Sequence, residues 1–331
     1  MLARIAHELF WLGRDLTRAE HTARTLDGVF HADIAGAPGE RSISLSWEAV
    51  LTIIGGKPPA PGEGAAGEET LGVVAIVEAR PLGRDQTARL LTLDSGSQAS
   101  IVSCVDRARE RGRILRDVIS TEMWEALNSF YLSLGRYDLA AAMRTGPYSV
   151  YHEVKERCAL FWGLVDRTML RDDGRAFLEA GGRIEQADMM LRMLLVTVPG
   201  ASERDGHESE AIALLHAVGG AQAYRRAVRD APTVGPVVRF LLYDGSYPGS
   251  VASSVAALRD ALSDADAVPR TSPPVLRLER LIAELELQRR TPETGDALDA
   301  ILGRVQGELA LIDRDIGDRY FAIAVLAAVH L

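Results

Sequence analysis

The sequence predicts an all-α fold, an internally duplicated helical bundle with pseudo-twofold related halves. Three observations carry that expectation. Apolar or small residues fall at Leu2, Ile5, Leu9, Leu12, Leu16, Ala19, Ala23, Leu26 and Phe30, stepping by three and four with no proline between them, the stripe of one long amphipathic helix. The rhythm returns at Phe177, Ala180, Ile184, Ala187, Leu191, Leu194 and Val198, each 168 residues after its counterpart in the run from Leu9 to Phe30. Only 72–79 has a β-like run. A repeat at fixed spacing outranks other signals in assigning architecture.

The elements follow in order. The first helix is apolar at its start and alanine-rich around Ala19 and Ala23, which lets a partner helix approach closely. Segment 47–56 resembles 211–220 at an offset of 164, and 91–105 resembles 241–255 at an offset of 150, pairing Asp94 with Asp244 and Ser100 with Ser250. Between those blocks the first half is fourteen residues longer, and 57–70, with Pro58, Pro59 and Pro61, has the composition of a mobile inserted loop. Segment 101–119 reads as a helix, and Ser120-Thr121 as the capped start of the next, ahead of Trp124, Leu127 and Tyr131. Segments 149–171 and 276–289 are further amphipathic stretches, and 94–97 and 244–248 are equivalent turns before helices. The halves are therefore placed at 1–168 and 169–331, together one compact domain.

Composition bounds the function. The chain has 331 residues, 47% of them apolar and 25% charged, the profile of a globular protein with an ample core. Lys and Arg number 37 against 46 Asp and Glu, a net charge of −9, which argues against gripping nucleic acid or anionic lipid by bulk charge. Charges at Glu8, Arg14 and Asp15 interrupt any signal-peptide core, and the longest uncharged run near the end, 320–331, has twelve residues, short of the ~20 that span a bilayer. The two cysteines, Cys104 and Cys158, are too few for a disulfide scaffold and read as small buried hydrophobes. A cytoplasmic protein without membrane or nucleic-acid partners is expected.

Familiar catalytic signatures are missing. Gly55-Gly56-Lys57 runs into Pro58 and lacks the upstream glycine of a phosphate loop. His7-Glu8 and His152-Glu153 supply only the first two letters of H-E-x-x-H, and no histidine lies three residues after a glutamate. No metal site and no cofactor are expected. What remains is a polar line on each repeat helix: Gly13, Thr17, Glu20 and Arg24 on the first, Gly181, Glu185, Asp188 and Arg192 on the second. Spacings of four, three and four put each set on one face. Two readings stand open. The lines are structural ion pairs that orient helices at the bundle centre. Alternatively the duplication brings both faces together into a pocket, with Glu20, Glu185 and Asp188 as candidate acid–base groups and Arg24 and Arg192 as an anion clamp for an amino acid, a peptide end or a phosphate. Arg14, Arg18 and Arg183 join Arg24 and Arg192 as candidate substrate-binding residues. Trp11, Trp47, Trp124 and Trp162 read as inter-helix anchors, Tyr151-His152-Glu153 as an exposed first helical turn, and Arg107, Arg109, Arg111, Arg113 and Arg116 as a solvated helix face.

The opening FWLGR at 10–14 with RAEHTAR at 18–24, then STEMWEALN at 120–128, TMLRD at 168–172 followed by Phe177, and FLL at 240–242 leading to PGSV at 248–251 resemble the bacterial alpha-E domain family over nearly the whole chain. That family is named for helices with a Glu-Arg motif. Here the motif falls on Thr17-Arg18 in the first half and Glu185-Gln186 in the second, so each half keeps one member, and Gly182 stands where an arginine is expected after Gly181. The resemblance implies a helical, non-ATP-binding partner of a circularly permuted ATP-grasp protein, and in some systems of a transglutaminase-like protein. Such systems form peptides or amides. A stand-alone enzyme and a purely structural scaffold are the alternatives.

Overall fold

The computed structural model describes residues 1–35, 45–55, 82–146, 148–198, 208–291 and 296–322. The expected loop at 57–70 and the β-like run at 72–79 lie outside the described residues. Within them the chain is all-α, with no strand.

The first half begins with α1 (Ala3–Ala35), α2 (Trp47–Gly55), α3 (Arg84–Thr92) and α4 (Ile101–Ile114). It continues through α5 (Thr121–Leu134), α6 (Leu139–Thr145) and α7 (Tyr148–Thr168). The second half has α8 (Asp173–Thr197), α9 (Glu208–Ala217), α10 (Ala221–Ala227) and α11 (Val234–Tyr243). Then come α12 (Val251–Ala265), a 3-10 turn at Pro269–Thr271, α13 (Pro273–Arg290), α14 (Asp296–Ile316) and a π-helical turn at Gly317–Phe321.

Local chemistry explains the boundaries. Ser100, Ser120 and Ser250 each stand in extended backbone and accept from the amide three residues on, capping α4, α5 and α12. The turns ahead of α4 and α12 share one hydrogen-bond pattern. Asp94 Oδ1 accepts from the Gly96 amide at 2.8 Å, and Asp244 Oδ1 from the Ser246 amide at 2.9 Å. The segment 101–119 is shorter as a helix than its periodicity predicts: α4 stops at Ile114, and Leu115 and Ile119 tuck into the core from the following turn. The short helices α3 and α6 carry too few turns for a periodic stripe.

α1 and α8 pack on one another and organise everything else. α4 and α7 lie against α1; α12 and α14 lie against α8. The remaining partners cross over, with α2 from the first half packing on α8 and α9 from the second half packing on α1. From Leu9 onward the α1 stripe is buried, as is every member of the α8 stripe, while Leu2 is exposed. The helices meet through glycine. A Cβ on Gly13 would strike the Leu178 carbonyl oxygen, and one on Gly181 the Phe10 carbonyl oxygen, so hydrogen side chains at both positions permit backbone-to-backbone approach. All four tryptophans are half-buried against the core. Cys104 and Cys158 are free and buried, and burial pushes the Cys104 thiol up to about 11 and that of Cys158 above its ordinary value. Among the described residues no helix is long and apolar enough to cross a membrane.

Candidate functional site

The close crossing sends the two polar lines to different places. On one side of the α1–α8 pair, Glu185 is fully buried and takes three guanidinium bonds. Arg14 donates through Nε to Oε2 at 2.9 Å, and Arg18 donates through Nε to Oε1 at 2.6 Å and through Nη2 to Oε2 at 3.3 Å. Arg14 also reaches α14, donating through Nη1 to both oxygens of Asp313 at 2.9 and 3.0 Å. Burial opposes the Glu185 charge, but the Arg18 and Arg14 guanidiniums overcome it and hold the pKa at about 2. Asp188 and Arg192 form an i,i+4 pair one turn on, with Arg192 Nε 2.7 Å from Asp188 Oδ2 but misaligned for a hydrogen bond. Burial pushes the Asp188 carboxyl up against the pull of Arg192.

A second ion cluster corrects the expectation of a solvated arginine face on α4. Asp15 on α1 is buried, and Arg107 and Arg111 turn inward to donate to its two oxygens at 2.9 and 3.1 Å. Arg111 also donates to Glu8 at 2.8 Å, and the Trp11 ring lies beneath the Arg14 and Arg111 guanidiniums, 4.6 and 5.7 Å away. An uncompensated buried carboxylate is costly, so Asp15 dictates which arginines turn inward. The Tyr151-His152-Glu153 turn also divides. Tyr151 is buried beside Thr92, His152 is half-buried and pairs with Glu156, and Glu153 accepts from Tyr137 and Arg157.

On the other side of the crossing lies a cleft of about 500 Å³ between α1, α7, α8 and the loops before α10 and α12. Of the eight charged candidates, Glu20, Arg24 and Arg183 line it. Glu185, Asp188, Arg14, Arg18 and Arg192 do not, so among the described residues this cleft does not draw both lines together. Arg24 donates through Nε and Nη2 to Glu20 Oε1 at 2.9 and 2.7 Å. Its guanidinium lies against Gly219, whose φ of +70° and missing Cβ let the loop pass over it. Arg183 donates to Gln186 Oε1 at 3.1 Å, and Gln186 donates on to the Pro248 carbonyl at 3.1 Å.

Sequence reasoning missed the rest of the wall. Arg175 donates to Glu179 at 2.6 Å and to Asp166 at 3.1 Å, while its Nη1 is buried without an acceptor. Trp162 on α7 leans over Gly182, where a Cβ would lie 2.8 Å from the indole ring. Tyr247 donates to the Val218 carbonyl at 3.0 Å and stacks on Phe240. The i,i+4 spacing of Arg175 and Glu179 was a readable signal; the convergence of Trp162 and Tyr247 from distant segments was not. His21 also faces the cleft, and burial lowers its pKa, so the imidazole is uncharged at neutral pH. This wall offers both signs of charge, an aromatic surface and exposed backbone, the elements of a small-molecule site. Among the described residues no group of three or more His, Cys, Asp and Glu is placed to hold a metal ion.

Three curated relatives match, one uncharacterized protein of Mycobacterium bovis and two of Mycobacterium tuberculosis, each 25% identical over 95% of this chain. The chain spans 36% of the length of each. No solved structure matches. The family model Alpha-E, described as a predicted alpha-helical domain with a conserved ER motif, matches residues 1–321. With the Glu-Arg halves found on the crossing helices and the match covering nearly every residue, the chain belongs to the Alpha-E family.

Proposed function

We propose that the chain is a cytoplasmic, non-ATP-binding helical partner in an ATP-grasp ligase system that forms peptide or amide bonds, and that its cleft holds an anionic substrate for that reaction. The observation that carries the substrate role is the cleft itself: among the described residues Arg183 donates to a neutral amide, and Arg175 keeps a buried donor without an acceptor. Guanidinium forks in a partly closed site match carboxylate and phosphate oxygens. The partnership is what the family resemblance implies, with a transglutaminase-like protein as a second partner. In this reading ATP chemistry falls to the ligase. We further propose that the two halves descend from a duplication, a reading supported by the matching turns at Asp94 and Asp244 and by the crossed packing of α2 and α9.

Co-purification with the ATP-grasp protein encoded nearest to it, followed by ADP release with and without this chain, tests the partnership. The expected result is a stable complex whose ADP release depends on this chain. Absence of both complex and effect overturns the proposal.

A further inference from the structure

We infer that the cleft binds a zwitterionic α-amino acid or a short free peptide with an apolar side chain, its carboxylate on Arg183 and Arg175 and its ammonium group on Glu20. The inference rests on the substrate-holding role proposed above and gives that role a chemistry.

Charge balance selects the class. Among the described residues the lining carries three carboxylates, Glu20, Asp166 and Glu179, against three guanidiniums, Arg24, Arg175 and Arg183, with His21 uncharged. A polyanion such as a nucleoside diphosphate finds no net attraction in a balanced wall, whereas a zwitterion finds both signs. Unused bonding capacity then places each end. Among the described residues, Arg175 Nη1 is buried with no acceptor, and the hydrogen bond of Arg183 runs to the neutral Gln186 amide. Among the described residues both Arg24 hydrogen bonds go to Glu20 Oε1, which leaves the second oxygen of Glu20 for an ammonium group. In the same lining, Trp162, Val165, Met190 and Val218 supply apolar surface for a side chain. The volume of about 500 Å³ admits a single amino acid or a peptide of a few residues.

The sequence offset explains why this side is open. At a spacing of 168, Gly182, Thr17 and Gln186 correspond to Arg14, Glu185 and Arg18. On one side of the crossing those positions carry an ion cluster that fills the space; on the other, three uncharged residues line the cleft. Removing two guanidiniums and a carboxylate vacates volume and leaves their neighbours' charges available.

Isothermal titration of the chain alone with phenylalanine, leucyl-phenylalanine and alanyl-leucyl-phenylalanine tests the inference, alongside N-acetylated and C-amidated forms, inorganic phosphate and ADP. At least one free ligand is expected to bind and to shift tryptophan emission, the shift vanishing in Trp162→Phe. Acetylation and amidation should each weaken binding by about tenfold or more. Arg183→Gln should erase the penalty for the amide and Glu20→Gln that for the acetyl group, with helical circular dichroism unchanged. Tighter binding of phosphate or ADP, equal binding of capped and free forms, or no response to any amino acid or peptide up to about 10 mM overturns it. Because this titration contains no ligase, its failure is separable from failure of the ADP-release assay.

Discussion

Arg18 on α1 donates through Nε to Glu185 on α8 at 2.6 Å, joining residues 167 positions apart. Each half of the chain keeps one member of the Glu-Arg motif, Arg18 in the first and Glu185 in the second, and the crossing at Gly13 and Gly181 brings those two members together. With Arg14 added, one buried carboxylate is shared by two guanidiniums, and Asp313 draws α14 into the same cluster. The motif therefore acts in this chain as an inter-helix tie. Its arginines and glutamate are engaged with one another, which directs the search for ligand chemistry to the cleft on the other side.

Glu185→Gln should destabilise the fold by about 3–5 kcal/mol, because it strands Arg14 and Arg18 without their shared counter-charge. Urea unfolding measures this. A loss below about 1 kcal/mol would show that the arginines find other partners.

Acid should reverse the same contribution. Glu185 has a folded pKa of about 2 against an ordinary 4.5. A depressed carboxyl stabilises fully above the unfolded value, and the benefit is lost as pH falls from about 4.5 toward 2. A shift of that size corresponds to about 3 kcal/mol. Stability curves of the native chain and Glu185→Gln should accordingly converge across that window; curves that stay parallel would contradict the assignment.

Two glycine-to-alanine changes should act in opposite directions. Gly181→Ala forces a methyl against the Phe10 carbonyl and should cost about 3 kcal/mol. Gly163→Ala on α7 meets nothing within 4 Å and should stabilise by up to about 1 kcal/mol through helix propensity. Thermal denaturation of both variants is the check, and equal effects would mean that α1 and α8 do not touch at Gly181.

A double-mutant cycle on Thr17→Glu and Gln186→Arg tests the duplication. If Thr17 and Gln186 are the counterparts of Glu185 and Arg18, the double variant should recover about 1 kcal/mol or more beyond the sum of the single changes. Additive effects would separate the two sides of the crossing and remove the pseudo-twofold relation.

Much of the fold was legible because its causes are local. The stripes of α1 and α8, the serine caps at Ser100, Ser120 and Ser250, and the aspartate turns at Asp94 and Asp244 depend on residues a few positions apart. Helical periodicity and side-chain capping operate over that range. The i,i+4 pairs Glu20–Arg24 and Asp188–Arg192 were readable for the same reason.

What the sequence could not decide was which side of a crossing each charge would occupy. Arg18 and Glu185 meet, Glu20 and Arg24 line the cleft, and Asp188 and Arg192 lie outside its lining, because Gly13 and Gly181 set where the helix axes touch. Arg107 and Arg111 are half-buried because they turn to a buried Asp15 that lies more than 90 residues away in the chain. The sequence determined the helices and their polar faces; the tertiary structure alone assigned partners, because desolvation and ion pairing are set by distances in space that no local spacing encodes.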